Sequence, residues 1–416
     1  MLAVLTMKSC EFVKSAFAEY YQNLHLLNAP KNIERREFGF LSLDKRGMLR
    51  HLSFKFADEL KLFLQNTVPS DAYFSCAYYE QPEAEMNEKG WLGADLIFDI
   101  DADHIPTTCN KVHDEWICGT CDFIGRGLTP EKCPVCGGQK FEVKTWPCET
   151  CLGSAKEETL KLLDILTHDF GFPEKEMHVL FSGHRGYHVH IHDETIKNAD
   201  AMARKEIVDY ICGLGFNIES HGFSDKEWKT RSTLKRSNLN NSGWHGRIIK
   251  RVHDLISNAK QDEYEGLGLR SDIVSVLIKN KERILKNLKS TGHLGVTKGV
   301  GFETWKKLIE FCVYSQSAKI DTVVTTDIHR LIRLTDSLHG KTGLKKVEFP
   351  ISTIEDFDPF KSAIAFKDGT VAVFVSDSPL FRIGDETFGP YKAQKVELPT
   401  AAAVLLVCKG RAEVLE

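Results

Sequence analysis

No apolar run in this 416-residue chain approaches the roughly 18 residues a membrane-spanning helix needs, so no membrane association is expected. The opening stretch MLAVLTMKSCEF lacks the basic n-region of a secretory leader, so no signal peptide is expected either. No charge of one sign dominates. There are 54 Lys+Arg against 58 Asp+Glu, a formal net charge of −4, and this balance lacks the basic footprint usual in nucleic-acid binders. Internal repeats and low-complexity tracts are also missing, which argues against a solenoid or a largely disordered chain. What remains is a composition ordinary for a globular protein, 42% hydrophobic and 27% charged, long enough for two or three domains.

Cysteine is not scarce. Of twelve, seven lie between Cys109 and Cys151, six of them in C-x-x-C pairs. A disulfide scaffold would be short and would spread its cysteines, whereas clustered pairs in a long leaderless chain point to zinc in a reducing compartment. Cys118, Cys121, Cys133 and Cys136 would make a closed structural site, with Cys109, His113, Cys148 and Cys151 a second site bracketing it. The alternative joins Cys109, His113, Cys118 and Cys121 on one ion and Cys133, Cys136, Cys148 and Cys151 on the other. The nested arrangement is preferred. Cys10, Cys76, Cys212, Cys312 and Cys408 read as isolated buried thiols.

The periodicity is mixed. FVKSAFAEYYQNL has helical spacing, REFGFLSL and MLRHLSFKF alternate like paired strands, and ADLIFDIDAD is a strong apolar strand. KEETLKLLDILTHDF is helical, and MHVLFS, the turn GHRG and YHVHIHD form a hairpin with three alternating histidines. ARKEIVDYICGLGF, SDIVSVLIKNKERILKNLKS and ETWKKLIEFCVYSQ are helical. SAIAF and TVAVFVS read as strands, and PTAAAVLLVCKGRAEVL as a closing helix. These patterns predict an α/β (α+β) fold of mixed and antiparallel sheets flanked by helices. Residues 1–108, 152–195 and 316–416 would form one α/β domain. Residues 109–151 would be a zinc-binding module with an inserted ribbon at 118–136, and 196–315 a helical subdomain.

Three polar constellations carry chemistry. Asp99 and Asp101 stand two apart at the end of an apolar strand, so both carboxylates face one way. Like charges so placed are costly unless a cation neutralises them, and carboxylate oxygens suit Mg²⁺ or Mn²⁺. Two such ions about 3.5–4 Å apart are the usual device for in-line displacement at phosphorus. The turn Ser182-Gly183-His184-Arg185-Gly186-Tyr187-His188 offers backbone N–H groups, a hydroxyl, a guanidinium and imidazoles for a polyphosphate. His190 and His192 share a face with His188 and read as a polar strand face. The third constellation is Asp321-Thr-Val-Val-Thr-Thr-Asp327-Ile-His-Arg330-Leu-Ile-Arg333, followed by Ser337, His339 and Lys341. It reads locally as a helix capped by Thr325, Thr326 or Asp327.

In that order, REFGF, FDID, SGHRGYH, DTVVTTDIHRLIRLTDSLHGKTG and VELPTAA resemble the small, catalytic subunit of archaeo-eukaryotic DNA primases, most closely the archaeal branch. The resemblance covers nearly the whole chain. It implies the primase catalytic fold and an enzyme, a DNA-directed nucleotidyltransferase that starts primers de novo on single-stranded DNA during replication. NTPs and dNTPs are both open as substrates. It implies catalytic Asp99, Asp101 and Asp321 holding two Mg²⁺ or Mn²⁺ ions, with Asp321 preferred over Asp327 from the spacing to His339. It implies nucleotide binding by Ser182, His184, Arg185, His188, Arg333, His339, Lys341 and Arg36. It assigns structural zinc to Cys109, His113, Cys148 and Cys151, leaving Cys118–Cys136 as an insertion with its own zinc. It also implies a heterodimer with a large, helix-rich regulatory subunit carrying an iron–sulfur cluster, and a cytoplasmic location in an archaeal cell (nuclear if eukaryotic).

Two rivals remain at this point: a stand-alone or ligase-associated primase-polymerase, and a non-catalytic zinc-ribbon protein that binds nucleic acid. Within 221–251, eight Lys/Arg (Lys226, Lys229, Arg231, Lys235, Arg236, Arg247, Lys250 and Arg251) face two acids. Trp228 and Trp244 are interleaved, as expected of a surface that meets a phosphate backbone or stacks on bases.

Overall fold

A computed structural model describes residues 6–44, 47–218, 242–291 and 297–415. Two compact units emerge: Met1–Thr159, Glu174–Lys205 and Lys319–Glu416 form the first, Leu160–Pro173 and Glu206–Ala318 the second. The first is mixed α/β, and every strand pairing among its described residues is antiparallel.

Its strands run in chain order as β1 (Phe38–Leu41), β2 (Met48–Leu52), β3 (Asp71–Ser75), β4 (Ala77–Tyr79), β5 (Trp91–Ala94) and β6 (Leu96–Asp101). In the cysteine-rich segment lie β7 (Glu115–Cys118), β8 (Ile124–Arg126) and β9 (Phe141–Lys144). Next are β10 (Met177–Phe181), β11 (Gly186–Ile191), β12 (Leu331–Arg333) and β13 (Val347–Phe349). Last come β14 (Thr370–Ser378), β15 (Phe381–Ile383), β16 (Glu386–Phe388), β17 (Tyr391–Pro399) and β18 (Ala412–Val414). Two four-stranded sheets, β12-β3-β1-β2 and β13-β10-β11-β6, carry the polar motifs. The alternation of β6 buries Leu96, Phe98 and Ile100 and leaves Asp99 and Asp101 half-buried on the other face.

Three segments fold otherwise than their patterns predict. The Asp321 segment is a short helix, Thr322–Thr326, capped by Asp321 itself, and then strand β12. Five consecutive β-branched residues disfavour a longer helix, and Leu331–Arg333 gain a ladder with β3. SAIAF is not a strand: Pro359 starts a short helix, Pro359–Ser362, under an Asp358 cap. The closing helix is Thr400–Cys408. Gly410 at φ +65° stops it, and β18 follows on β14. Ala401 through Cys408 are all buried, so this helix is hydrophobic on every side and belongs to the core.

The second unit is helical. Ser271–Lys279 and Lys281–Thr291 are separate helices broken at Asn280, where the sequence reads as one. Helices Gly243–Asn258 and Phe302–Gln316 bury Ile248, Ile249, Val252, Trp305 and Leu308 in one core. Of the isolated thiols, Cys76, Cys312 and Cys408 are buried, while Cys10 and Cys212 are half-buried.

Candidate active site

The acidic pair and the hairpin meet by strand register. In the β6–β11 ladder Asp99 lies opposite His188, and Asp101 opposite Gly186. Directly opposed residues share a face. His188 Nε2 therefore lies 3.5 Å from Asp99 Oδ1. Gly186 is required because a Cβ there would sit 2.0 Å from the carbonyl oxygen of Ile100. Gly183 turns the hairpin at φ +83°, with His339 and Leu344 packed against it. Asp321 joins from a distant segment: its N–H donates to the carbonyl of Asp99 at 2.8 Å. Burial, then the charges of Asp101 and Asp321, push the Asp99 carboxyl from 3.8 up to about 7. Asp327 is placed differently. It ends the short helix and accepts from His329 N–H through its side chain.

A basic arc continues from this centre. Lys346 is fully buried, its Nζ 3.0 Å from His188 Nδ1 and donating to the carbonyl of Arg333 at 2.9 Å. Burial, with Arg333 beside it, pushes Lys346 well below the ordinary lysine range. Where Lys346 Nζ donates to Nδ1, the proton of His188 lies on Nε2, toward Asp99. Arg333 donates to Asp71 Oδ1 at 2.5 Å and to Tyr73 Oη at 3.2 Å, and Asp71 also accepts from Gly340 N–H. Burial alone would raise Asp71, but Arg333 and His339 hold its carboxyl at about 2. His339 stacks on His184, ring centroids 4.9 Å apart, and accepts from Lys341 N–H at Nδ1. The Lys341 side chain is exposed. Asp71, Lys346 and Lys409, which lies 2.7 Å from His184, are site residues no sequence pattern marks.

Some sequence-predicted ligands are spent on the protein instead. Arg36 is 0% exposed, stacked on Tyr78 and bonded to the carbonyls of Lys31, Ser75 and Cys76 and to Asp95 at 2.6 Å. Arg185 is likewise 0% exposed and reaches Asp103 at 2.8 Å, Asp114 at 2.9 Å and Cys151 Sγ at 3.3 Å. Ser182 Oγ accepts the N–H groups of His184 and Gly186, so those donors of the turn are already satisfied. His188, His190 and His192 do line one face of the strand, largely shielded from solvent. His190 is buried against Phe74, and among the described residues His190 Nε2 and His192 Nδ1 have no hydrogen-bond partner.

The cysteines gather in the nested arrangement. Cys109, His113, Cys148 and Cys151 form one set and Cys118, Cys121, Cys133 and Cys136 the other, with all ligand atoms within 4.8 Å of one another in each. All twelve cysteines are free of disulfides, and neighbouring Sγ atoms within the two sets lie 3.4 to 3.7 Å apart. A tetrahedron of about 2.3 Å Zn–S bonds has edges of about 3.8 Å, so both donor sets fit zinc. His113 Nδ1 lies 2.7 Å from Asp114 Oδ1, the carboxylate partner usual for a zinc-bound imidazole. Asp114 also binds Arg185, which ties this set to the hairpin turn. Among the described residues only these two sets close to that extent. The aspartates form an open site, which suits Mg²⁺ or Mn²⁺, ions that complete their shell with water and phosphate oxygens.

In the helical unit, Lys226, Lys229, Arg231, Lys235, Arg236 and Trp228 lie outside the described residues. Trp244 is buried and donates Nε1–H to the carbonyl of Tyr210, so it is no stacking platform. Arg247 is held by Asp164 and Asp169, both at 2.5 Å. It lines a cavity of about 680 Å³ with Lys250, Arg251 and Asp254.

Comparison with known proteins bears on the same residues. A sequence profile described as DNA primase small subunit matches residues 143–351. The chain is 35% identical over 406 residues to the DNA primase small subunit PriS of Nitrosopumilus maritimus, covering 97% of this chain and 98% of that protein. It is 35% identical over 405 residues to the PriS of Archaeoglobus fulgidus, covering 96% and 97%. For the PriS of Methanothrix thermoacetophila the figures are 32% over 425 residues, covering 98% and 99%.

Proposed function

Because the chain belongs to the DNA primase small-subunit family, and to its archaeal type, we propose that Asp99, Asp101 and Asp321 are its catalytic centre and the basic arc its nucleotide cradle. The enzyme is a DNA-directed nucleotidyltransferase acting in replication on a DNA template with nucleotide substrates. The observation that supports the assignment of the site is geometric: Asp321 N–H donates to the Asp99 carbonyl at 2.8 Å, Asp101 shares the strand face of Asp99, and burial, then the charges of Asp101 and Asp321, raise Asp99. Two divalent cations, Mg²⁺ or Mn²⁺, would be held by the three aspartates and would supply activation of the attacking hydroxyl and neutralisation of phosphate charge.

The chain's own groups do the rest. His188, held by Lys346 at Nδ1, orients Asp99 and faces the nucleotide phosphates. Arg333, pinned by Asp71, holds a fixed positive charge beside His339. Lys341 is free to reach the triphosphate, and His184 and His339 present a stacked imidazole wall to it. Arg185 and Arg36 act as frame residues, Arg185 by fastening the turn to the outer zinc set. Zinc fits both Cys/His sets as a structural ion. A large regulatory subunit is the expected partner, the template is single-stranded DNA, and the site of action is the archaeal cytoplasm.

The test supplies single-stranded template, NTPs or dNTPs and Mg²⁺ or Mn²⁺, without primer, to the full chain with and without its large subunit. Oligomers should form, and Asp99→Asn should reduce them at least ~10²-fold, as expected for loss of a metal-ligating carboxylate. Extension of a supplied primer alone would favour a primase-polymerase. No synthesis under any condition would overturn the reading.

A further inference from the structure

Besides Lys346, the cradle holds a second lysine that the sequence motifs leave out. Lys409 follows helix Thr400–Cys408, whose buried length fixes its backbone in the core, and its N–H donates to the carbonyl of Leu405 at 3.0 Å. Its side chain turns into the cradle: Nζ lies 2.7 Å from His184 Nε2, the nitrogen that Thr145 Oγ1 also approaches at 3.4 Å. His184 in turn stacks on His339.

Lys341 and Arg185 add positive charge around Lys409, and the acid that opposes them, Asp103, is already paired with Arg185 at 2.8 Å. A neutral imidazole accepts a hydrogen bond but brings no negative charge, so among the described residues the ammonium has an acceptor and no acid of its own to pair with. Burial, then the charges of Lys341 and Arg185, accordingly bring Lys409 down to about 7. Burial and Lys409 keep His184 well below its ordinary range, and burial and Arg333 do the same for His339. The two nearby acids, Asp71 and Asp103, are each already paired with an arginine, so two lysines and two neutral imidazoles gathered this way favour an added anion.

We propose that Lys409 is a further binding residue for the polyphosphate of the incoming nucleotide, its ammonium passing from His184 Nε2 to a non-bridging oxygen of the outer phosphates. This rests on the functional reading above and deepens it. It assigns to Lys409 the phosphates beyond the α position, which distinguish a triphosphate from a monophosphate. No bond is made or broken in the transfer, only a hydrogen bond exchanged.

The experiment is equilibrium binding of MgATP, AMP and Mg²⁺–tripolyphosphate to the full chain and to Lys409→Met and Lys409→Arg. Lys409→Met should bind ATP and tripolyphosphate about tenfold more weakly, the effect of one charge-assisted hydrogen bond, with AMP unchanged. Lys409→Arg should stay within about threefold of the parent, since it keeps the charge. In primer synthesis the loss should fall on KM rather than kcat. On the unsubstituted chain, acetic anhydride at neutral pH should label Lys409, and MgATP or tripolyphosphate should protect it where AMP does not.

Full triphosphate affinity in Lys409→Met, an equal loss for AMP, or labelling indifferent to MgATP would each overturn the proposal. A parent chain that makes primers while Lys409 proves indifferent sinks this inference alone. A parent that neither primes nor binds ATP sinks the functional reading with it.

Discussion

Asp99 sits among two like charges and a neighbouring imidazole, and its raised carboxyl has a consequence for metal binding. In the folded chain it titrates near 7 against an ordinary 3.8. Between those values the folded state keeps a proton that the unfolded state has lost, so without cation stability falls as pH rises through the window. A divalent cation competes with that same proton. Its affinity should therefore increase from pH 5 to about 7 and level off above, and Asp99→Asn should flatten the curve; Mn²⁺ titration followed by electron paramagnetic resonance reads both. Asp71 has the opposite sign. Held at about 2, it contributes stability that is full above about pH 4 and lost on acidification toward 2. Asp71→Asn leaves Arg333 buried without its partner and should cost about 3 kcal/mol in denaturant unfolding, with a raised nucleotide KM. Asp99 and His188 were proposed from local patterns, and His339 from the segment that resembles the family. Asp71, Lys346 and Lys409 were not: Arg333 meets Asp71 across 262 residues and Lys409 meets His184 across 225, distances no local spacing encodes.

Among the elements, the hairpin β10–β11 and the strand β6 followed directly from alternation and glycine placement. The segment after Asp321 did not, because its helical spacing competes with a run of β-branched residues and with a ladder on β3 that exists only in the folded unit. The cysteine-rich element lies between these cases. Spacing allowed two pairings, and the fold gathers one of them. Equilibrium metal analysis should find about two zincs per chain, one per tetrahedral set. Cys133→Ser should lose the ribbon ion and keep the outer one, while Cys148→Ser should do the reverse. Cys148→Ser should also loosen the Arg185 strap, seen as a fall in primer synthesis that Cys133→Ser does not share in the same proportion. A single zinc bound jointly by both sets would contradict the nested assignment.

At the scale of the whole molecule, the net charge of −4 averages parts that oppose one another. An acidic centre and a basic arc share the first unit, and in the second a basic helix face is partly neutralised by Asp164 and Asp169. The composition alone concealed a nucleic-acid enzyme because such work needs local fields rather than a total. In the proposed site Asp99, Asp101 and Asp321 would together hold the catalytic ions, with the triphosphate laid along the basic arc. Crystals of the full chain soaked with Mn²⁺ and a non-hydrolysable nucleoside triphosphate test it most directly, through anomalous difference density. Manganese peaks should lie among the three aspartates, and phosphate density should reach His184, His339 and Lys341. Manganese confined to other acids such as Asp327, or a triphosphate bound away from the arc, would contradict it.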